Sequence, residues 1–228
     1  MIILRGIFWA LRLALALLFL SLAFVLLYRF VPVEGTTLMG WRHLQGEDVQ
    51  QEWVAYDEIS PHLVRAVIAA EDTKFCRHFG FDLGEIRAAL EEAQNGGRLR
   101  GASTITQQTA KNAFLWPGRG PVRKGAEAGF TVAMEVLYPK RRIIEIYLNV
   151  AEWGDGLFGA EAAAQARFGK SAKDLTRYEA ALLAAVLPSP NKWRVDPPGP
   201  YVRRRSRQIQ SRVRVVRAEG FDTCVFKD

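Results

Sequence analysis

The chain has 228 residues, which is enough for one domain of medium size with a real hydrophobic core and a short additional segment. Its formal net charge is +7, and its two cysteines, Cys76 and Cys224, are too few and too unrelated in position to form a framework of several disulfides. No second Cys/His pair accompanies Cys76 and His78, which excludes a zinc site. The sequence does not tell whether the two cysteines pair.

The first predicted element is an apolar helix that can cross a membrane. Between positions 7 and 31 the only charges are Arg12 and Arg29, and about 20 apolar residues are enough to span a bilayer. A cleaved signal peptide fits less well, because five apolar residues follow the small residues at 21 and 23 and no polar mature start appears. A buried core helix is the remaining alternative. Arg5 and Arg12 precede the span, so the positive-inside rule predicts a cytoplasmic N-terminus.

Three regions follow from this pattern. Residues 1–31 are predicted to be a cytoplasmic tip and a single-pass membrane anchor, with the rest of the chain outside the cytoplasm. Residues 32–55 are polar and irregular and predict a stem. Residues 56–228 predict a mostly α-helical domain without long alternating strand patterns. Its helices are expected over 61–72, 83–93, from 103 or 104 onward, 122–137, 140–153, 161–167, 178–186 and 202–217. A flexible glycine-rich loop, "NGGRLRG", is expected before the third of them.

The helix predicted over 61–72 carries a carboxylate on its apolar stripe. Ser60 suits the capping position before it and Pro61 suits its first turn. The stripe consists of four residues at helical spacing, Leu63, Val64, Val67 and Ile68. Glu71 takes the next position on that stripe. Either the helix ends there with Glu71 in water, or Glu71 lines a pocket and does chemistry.

The stretch "GASTITQQTAKN" predicts a helix start with polar side chains behind it. Thr104 and Gln107 fit a capping box, which is a sufficient structural explanation. Thr104, Gln108 and Lys111 also share one helix face. A flexible loop that leads into such a helix start suits an anion such as a phosphate.

Two later helices carry further charged residues. In "RKGAE", Arg123 and Glu127 can form an ordinary surface ion pair, with Arg119 and Lys124 close by in sequence. In "KRRIIEIYLN", an amphipathic helix accounts for the inward-facing Ile143, Ile146 and Leu148.

The last predicted helix holds seven arginines between Arg203 and Arg217. A solvated charged face is the usual explanation of such a run. An anchored, exported domain seldom meets nucleic acid, so no nucleic-acid partner is expected. Anionic lipid headgroups or a phosphate-bearing substrate at the membrane are better partners for this charge.

Four motifs occur in order along the chain. They are Glu71-Asp72-x-x-Phe75-x-x-His78-x-Gly80, then Gly101-x-Ser103-Thr104-Ile105-Thr106-Gln107-Gln108 with Lys111-Asn112, then Arg123-Lys124-x-x-Glu127, and Lys140-x-x-Ile143-Ile144-Glu145-x-Tyr147-Leu148-Asn149. Together they resemble the motif set of the peptidoglycan glycosyltransferases, the family shared with bifunctional penicillin-binding proteins. The resemblance covers roughly residues 56 to 217. Without a transpeptidase domain, the chain resembles the monofunctional, membrane-anchored type.

The resemblance implies a lysozyme-like α fold and a reaction. The substrate would be lipid II, polymerised into β-1,4-linked glycan strands with inversion at the donor carbon and release of undecaprenyl diphosphate. The growing strand would be the donor and lipid II the acceptor. A divalent cation, Mg²⁺ or Mn²⁺, would bind mainly with the substrate diphosphate. Membrane lipids, the glycan strand and proteins of cell-wall synthesis and division are the partners to expect.

The resemblance also implies roles for the motif residues. Glu71 would be the general base on the acceptor 4-hydroxyl, and Glu127 the second essential carboxylate, which either assists at the diphosphate or holds Arg123 and Lys124. The cations expected to stabilise the diphosphate are Lys111, Arg119, Arg123, Lys124 and Lys140. The sugar-diphosphate is assigned to Ser103, Thr104, Gln107 and Gln108. The first motif, and through it the substrate site, would be shaped by Asp72, Phe75 and His78, and the cleft supported by Glu145, Tyr147 and Asn149.

Two other functions compete with this interpretation. A lytic enzyme on the same fold would cleave glycan, but a sugar leaving group needs a general acid and not a group of cations. A non-catalytic anchored scaffold would bind cell-wall enzymes and would tolerate replacement of its carboxylates.

Overall fold

The computed structural model describes residues 2–97, 101–154 and 156–226, in two compact units that divide after Pro32. The first unit contains helix α1 (Ile2–Tyr28). Its part from Arg5 to Tyr28 is, by length and composition, able to cross a membrane, which is compatible with the predicted anchor.

The second unit is mostly helical, as predicted. Its α-helices are α2 (Thr37–Leu44), α3 (Pro61–Glu71), α4 (Leu83–Gln94), α5 (Ile105–Phe114), α6 (Pro121–Leu137), α7 (Lys140–Val150), α8 (Ala160–Phe168), α9 (Arg177–Val186), α10 (Pro200–Ala218) and α11 (Thr223–Phe226). Three short strands, β1 (Gln50–Gln51), β2 (Glu152–Gly154) and β3 (Leu157–Phe158), form one small sheet. Strand β3 lies between the other two, parallel to β1 and antiparallel to β2.

The segment predicted as an irregular stem, residues 32–55, contains regular structure, namely α2 and β1. Thr36 caps α2, and Met39 on that helix is buried. Strand β1 pairs with β3, and the Gln51 side chain donates a hydrogen bond to the Asn149 carbonyl at 3.0 Å. A single buried apolar side chain on α2 and a two-residue strand are too little for a periodic pattern, which is why this polar segment looked irregular.

Helix α7 ends earlier than the sequence predicted. Its last regular bond runs from the Ala151 N–H to the Tyr147 carbonyl, and Ala151 itself is extended. The following residues form β2, where Trp153 is fully buried. The other helices lie close to their predicted positions. The glycine-rich loop expected over 95–101 includes residues 98–100, which lie outside the described residues.

Two helix groups carry the core and meet at the end of α3. Helix α3 packs with α9 and α10, and α5 packs with α6 and α7. The groups are joined where Asp72, just after α3, accepts a hydrogen bond from the Ile105 N–H at the start of α5, at 3.0 Å. This junction brings Glu71 next to the polar face of α5.

Cys76 and Cys224 form a disulfide. It links the short turn after α3 to the C-terminal helix α11. Two further contacts hold the same C-terminal segment: Arg65 pairs with Asp222 at 2.7 Å, and the Tyr56 hydroxyl donates to the Val225 carbonyl at 2.9 Å. The C-terminal segment is therefore fastened to the helix that ends in Glu71.

Candidate active site

Glu71 is the last residue of α3 and lies at the rim of a cavity. The four apolar residues of the predicted stripe are fully buried, which confirms that prediction. The Glu71 side chain is only 11% exposed, so it does not stand in open water at a frayed helix end.

A hydrogen-bond chain orients the Glu71 carboxylate. The Gln108 side chain donates to Glu71 Oε2 at 3.0 Å, and the Tyr147 hydroxyl donates to Gln108 Oε1 at 3.4 Å. Burial raises the pKa of Tyr147 well above its usual value, so its hydroxyl keeps its proton and remains a donor. The donor from Tyr147 fixes the Gln108 amide with its N–H₂ group toward Glu71.

The net electrostatic effect on Glu71 is a raised pKa. Burial is the main cause, and the neighbouring Asp72 charge adds to it. The Gln108 hydrogen bond, Arg205 and Lys111 act in the opposite direction, with the nearest Arg205 nitrogen 4.0 Å from Glu71 Oε1. A carboxylate with a raised pKa holds a proton more strongly and is a better general base.

Asp72 and His78 connect the first motif to α5. Asp72 Oδ1 lies 2.8 Å from His78 Nε2, while Oδ2 accepts the Ile105 N–H. Phe75 is fully buried. In this geometry Phe75 serves packing and not direct contact with a substrate, and Asp72 and His78 hold the backbone around Glu71.

The start of α5 is a buried capping box, as the sequence predicted. Thr104 caps the helix through the Gln107 N–H, and the Gln107 side chain returns to the Thr104 N–H at 3.0 Å. Thr104 Oγ1 also donates to the Gly80 carbonyl at 2.6 Å. Gly80 has φ of +77°, and a Cβ there would lie 2.6 Å from Thr131 Cγ2, so this close approach requires glycine. The side chains of Thr104 and Gln107 are therefore engaged inside the fold.

The cavity beside Glu71 has a volume of about 360 Å³. Ser103 is exposed at its edge, and Lys74 and Arg212 add positive charge to its lining. Of the four polar residues of the second motif, Ser103 and Gln108 are thus the ones with side chains directed to the site, while Thr104 and Gln107 position it.

A cation cluster follows along α5 and α6. Glu127 pairs with Arg123 at 3.4 Å and with Lys124, which confirms the pair predicted from "RKGAE". Its expected surface position is wrong, because Glu127 is buried. Lys111 lies near both Glu127 and Glu71, and burial is the main cause of its lowered pKa, helped by the Arg123 and Lys124 charges. Lys111 and Arg123 line a cavity of about 200 Å³.

Two predicted cations lie apart from this cluster. Lys140 donates to Glu135 at 2.7 Å and sits 4.5 Å from the centre of the Phe75 ring. It lines neither of the two cavities as the described residues define them. Arg119 is exposed in the loop before α6. The partner of Lys140 is thus Glu135, which also accepts a 2.5 Å hydrogen bond from Thr106, and the predicted role of Lys140 at the diphosphate stays a prediction.

The sequence analysis missed Arg205, Arg212 and Glu135 as parts of this region. The two arginines belong to the arginine run of α10 and reach Glu71 and its cavity. The run itself was the signal, but seven arginines gave no indication of which ones face the site. Glu135 carried no signal, since its partner Lys140 lies beyond the end of its own helix.

Comparison with known proteins agrees with this geometry. The sequence model of the transglycosylase family matches residues 37–217. The chain belongs to the transglycosylase family. A biosynthetic peptidoglycan transglycosylase of Rhodospirillum centenum is 55% identical over 212 residues, covering 92% of this chain and 91% of the relative. The protein of the same name from Caulobacter vibrioides is 52% identical, with 88% of each chain covered. A third, from Stutzerimonas stutzeri, is 50% identical over 89% of this chain and 86% of its own.

The family and these relatives support peptidoglycan glycosyltransferase activity. The transglycosylase match begins at residue 37, so the segment predicted as a stem contributes α2 and β1 to the matched region. A purely structural scaffold does not account for the match or for the desolvated carboxyl beside a cation cluster.

Proposed function

We propose that this transglycosylase polymerises lipid II into β-1,4-linked glycan strands, with inversion at the donor carbon. The growing strand is the donor and lipid II the acceptor. The observation that carries the proposal is the arrangement along α5, where Gln108 binds the buried Glu71 and Lys111 lies between Glu71 and the Arg123–Glu127 pair. A desolvated base thus stands beside positive charge suited to a diphosphate.

Glu71 is proposed as the general base. It takes the proton of the acceptor 4-hydroxyl while that oxygen forms a bond to the donor anomeric carbon. The bond from that carbon to the diphosphate oxygen breaks, and its electron pair leaves with undecaprenyl diphosphate. The proton on Glu71 then passes to water. The raised pKa of Glu71 supports this role, because a desolvated carboxylate binds a proton more strongly than one in water.

The cation cluster is proposed to stabilise the diphosphate. A diphosphate leaves as a stable anion, so it needs preorganised positive charge and not a proton. Lys111, Arg123 and Lys124 supply that charge, and Arg119 stands in the adjoining exposed loop. Lys140 is left out of this group because its carboxylate partner is Glu135 and not Glu127, the residue that holds the cluster together.

Glu127 is proposed to hold the cations and not to transfer a proton. Its carboxylate is 3% exposed and is bonded to both Arg123 and Lys124. One buried carboxylate that binds two cations fixes the positions of both. Of the two roles open in the sequence, the contacts favour this one.

A divalent cation, Mg²⁺ or Mn²⁺, belongs to the proposal as an ion carried by the substrate diphosphate. Within the described residues, no group of three or more His, Cys, Asp or Glu side chains is placed to hold a metal. The diphosphate oxygens would therefore be its main ligands, and no step is assigned to it.

The proposed location is the bacterial inner membrane, with α1 as the single span, the N-terminus in the cytoplasm and the helical unit in the periplasm. The Cys76–Cys224 disulfide supports this orientation, since disulfides persist in the periplasm and are rare in the cytosol. Lipid II, glycan strands and membrane lipids are the proposed partners, together with proteins of cell-wall synthesis and division, and no nucleic acid is expected.

The proposal is tested with the detergent-purified full chain, labelled lipid II and Mg²⁺, with the products separated on a gel. The wild type should give a ladder of glycan polymers, and Glu71→Gln should lower the rate by about a hundredfold or more, as expected for loss of a general base. Glu91→Gln is the matched control, because Glu91 is exposed on α4 and lines neither cavity.

Two results would contradict the proposal. Near-normal polymerisation by Glu71→Gln would remove Glu71 as the base. Absence of polymer with cleavage of preformed glycan would instead establish the lytic activity.

A further inference from the structure

A third cavity, with a volume of about 390 Å³, is lined by residues of α3, α9 and α10. Among the described residues, none lines both this cavity and the cavity beside Glu71. Its lining includes the small residues Ala66 and Ala181 and the basic residues His62, Arg65, Arg177, Arg214 and Arg217.

The arginine run of α10 divides into two stripes. Arg205 and Arg212 are seven residues apart, on one face, and reach Glu71 and its cavity. A different face of α10 lines the third cavity. Its residues follow three- and four-residue spacing and are Gln210, Val213, Arg214 and Arg217. The apolar stripe of Val202, Ile209 and Val216 is buried between these faces and the rest of the fold. One helix therefore supplies positive charge to two separate cavities.

Most of the positive charge in this third cavity has no carboxylate partner. The described residues that line it include no Asp or Glu. Of its arginines, Arg65 is paired with Asp222 and packed 3.9 Å from the centre of the Phe226 ring. Within the described part of the chain, Arg177, Arg214 and Arg217 have no carboxylate within ion-pair distance. Like charges gathered around a concave surface repel each other unless an anion binds there.

The pKa of His62 is sensitive to this surplus of positive charge. Burial lowers the pKa of His62, and the charges of Arg177, Arg65 and Arg217 lower it further. The imidazole is thus close enough to arginines of all three helices for their charges to lower its pKa. A bound anion would act in the opposite direction and raise that pKa.

We propose that this cavity, which we call the α3–α9–α10 cavity, binds a phosphate group, either free or in the headgroup of an anionic lipid. Arginine side chains recognise phosphate oxygens through paired, charge-assisted hydrogen bonds. Arg214 and Arg217 from α10 face Arg177 from α9 across the cavity, and His62 and Gln210 add further hydrogen-bonding groups. The cavity is large enough for a phosphate with its attached ester group. This site is separate from the proposed glycosyl-transfer chemistry.

The test follows the His62 imidazole by NMR in the full chain, with labelled histidine, at constant ionic strength. The chain has three histidines, so a His62→Gln variant assigns the signal. Added inorganic phosphate should shift the His62 signal saturably and raise its pKa. Arg214→Gln/Arg217→Gln should weaken the apparent Kd by about tenfold or more, the loss expected when charge-assisted bonds to phosphate are removed.

The matched control is Arg204→Gln/Arg207→Gln. It removes the same charge from the same helix, at exposed positions that line neither the α3–α9–α10 cavity nor the cavity beside Glu71. It should leave the apparent Kd within about twofold. A second arm compares nanodiscs of phosphatidylcholine with and without phosphatidylglycerol. A His62 response to phosphatidylglycerol that Arg214→Gln/Arg217→Gln removes assigns the site to lipid headgroups, and a response to free phosphate alone assigns it to a soluble anion.

Either response, if lost in Arg214→Gln/Arg217→Gln and kept in the control, supports the proposal. The proposal is overturned if the His62 signal ignores both probes, or if it responds equally in the wild type and in Arg214→Gln/Arg217→Gln. Because the signal belongs to His62, anion binding beside Glu71 does not imitate a positive result.

Discussion

At the scale of single residues, the protonation of Glu71 depends on a few identified neighbours. Burial raises its pKa, while the Gln108 hydrogen bond and the Arg205 charge hold it down. The site therefore combines burial, which raises the pKa of Glu71, with neighbours that favour its ionised form. Removing one of the neighbours that lower the pKa of Glu71 should therefore raise that pKa.

Arg205→Gln should move the acidic limb of the activity profile to higher pH. Loss of the Arg205 charge removes an interaction that favours ionised Glu71, so the pKa of Glu71 rises. A general base works only when deprotonated, and activity is then lost at a higher pH as the solution is acidified. The measurement is the pH dependence of kcat/KM for lipid II polymerisation.

The control for this prediction is the adjacent Arg204→Gln, which removes an equal charge from an exposed position. It should leave the acidic limb in place. A limb that stays at the wild-type pH in Arg205→Gln, or moves to lower pH, would contradict the base role of Glu71.

At the scale of secondary-structure elements, α5 is the helix on which the site depends. It carries Gln108 and Lys111, and its first turn is held by Asp72 from α3 and by the Thr104 capping box. The chain contains a second capping box of the same kind, formed by Thr176 and Glu179 at the start of α9. The two differ in burial: Thr104 is buried and bonded to Gly80, whereas Thr176 is exposed.

This pair gives a matched test of the cap. Thr104→Ala should cost about 2 to 3 kcal/mol of unfolding free energy, from the lost cap and the unpaired Gly80 carbonyl. Thr176→Ala should cost about 1 kcal/mol, the usual effect of a lost cap. Thermal unfolding of the two variants measures the difference. Polymerisation per folded molecule should fall in Thr104→Ala and not in Thr176→Ala. Equal unfolding midpoints and equal activities in the two variants would show that other contacts position α5.

The elements also show what local sequence patterns can predict. Ser60 and Pro61 at the start of α3, the buried stripe up to Ile68 and the capping box of α5 were all predictable, because each depends on neighbours within one helical turn or two. Strand β1 was not, because it has two residues and is defined only by its pairing with β3, about a hundred positions away. The Lys140–Glu135 pair was missed for another reason: its two residues belong to different helices, so helical spacing does not relate them.

At the scale of the whole molecule, the site depends on long-range links that no motif contains. The Gln108–Glu71 bond joins α5 to α3, Tyr147 reaches the pair from α7, and Arg205 comes from α10. The motifs predicted which residues belong together but not how their side chains divide between substrate and fold. That division depends on burial, as for Thr104 and Gln107, and burial is a property of the assembled helices.

The disulfide is a covalent link of this long-range kind and gives the last prediction. It closes a loop of 148 positions between the turn after Glu71 and α11. Restricting the unfolded chain over such a loop contributes about 2 to 4 kcal/mol in typical cases. Replacing both Cys76 and Cys224 by serine should therefore lower the thermal midpoint of the second, mostly helical unit. Adding reductant to the wild type should bring it toward the same midpoint and leave the double variant unchanged.

The same variant also tests how the C-terminal segment supports the site. Cys76 follows the buried Phe75, only a few residues from Glu71 and Asp72. If the disulfide holds this turn, polymerisation by the double serine variant should fall further with temperature than that of the wild type, well below the unfolding midpoint. If activity keeps its wild-type temperature dependence while stability falls, the Arg65–Asp222 and Tyr56–Val225 contacts hold the turn without the disulfide. Both contacts belong to the segment that ends with α11. In that case the C-terminal segment is attached to the rest of the fold by more contacts than the site needs. The ion pair and the hydrogen bond alone then hold the turn at temperatures where the enzyme is folded.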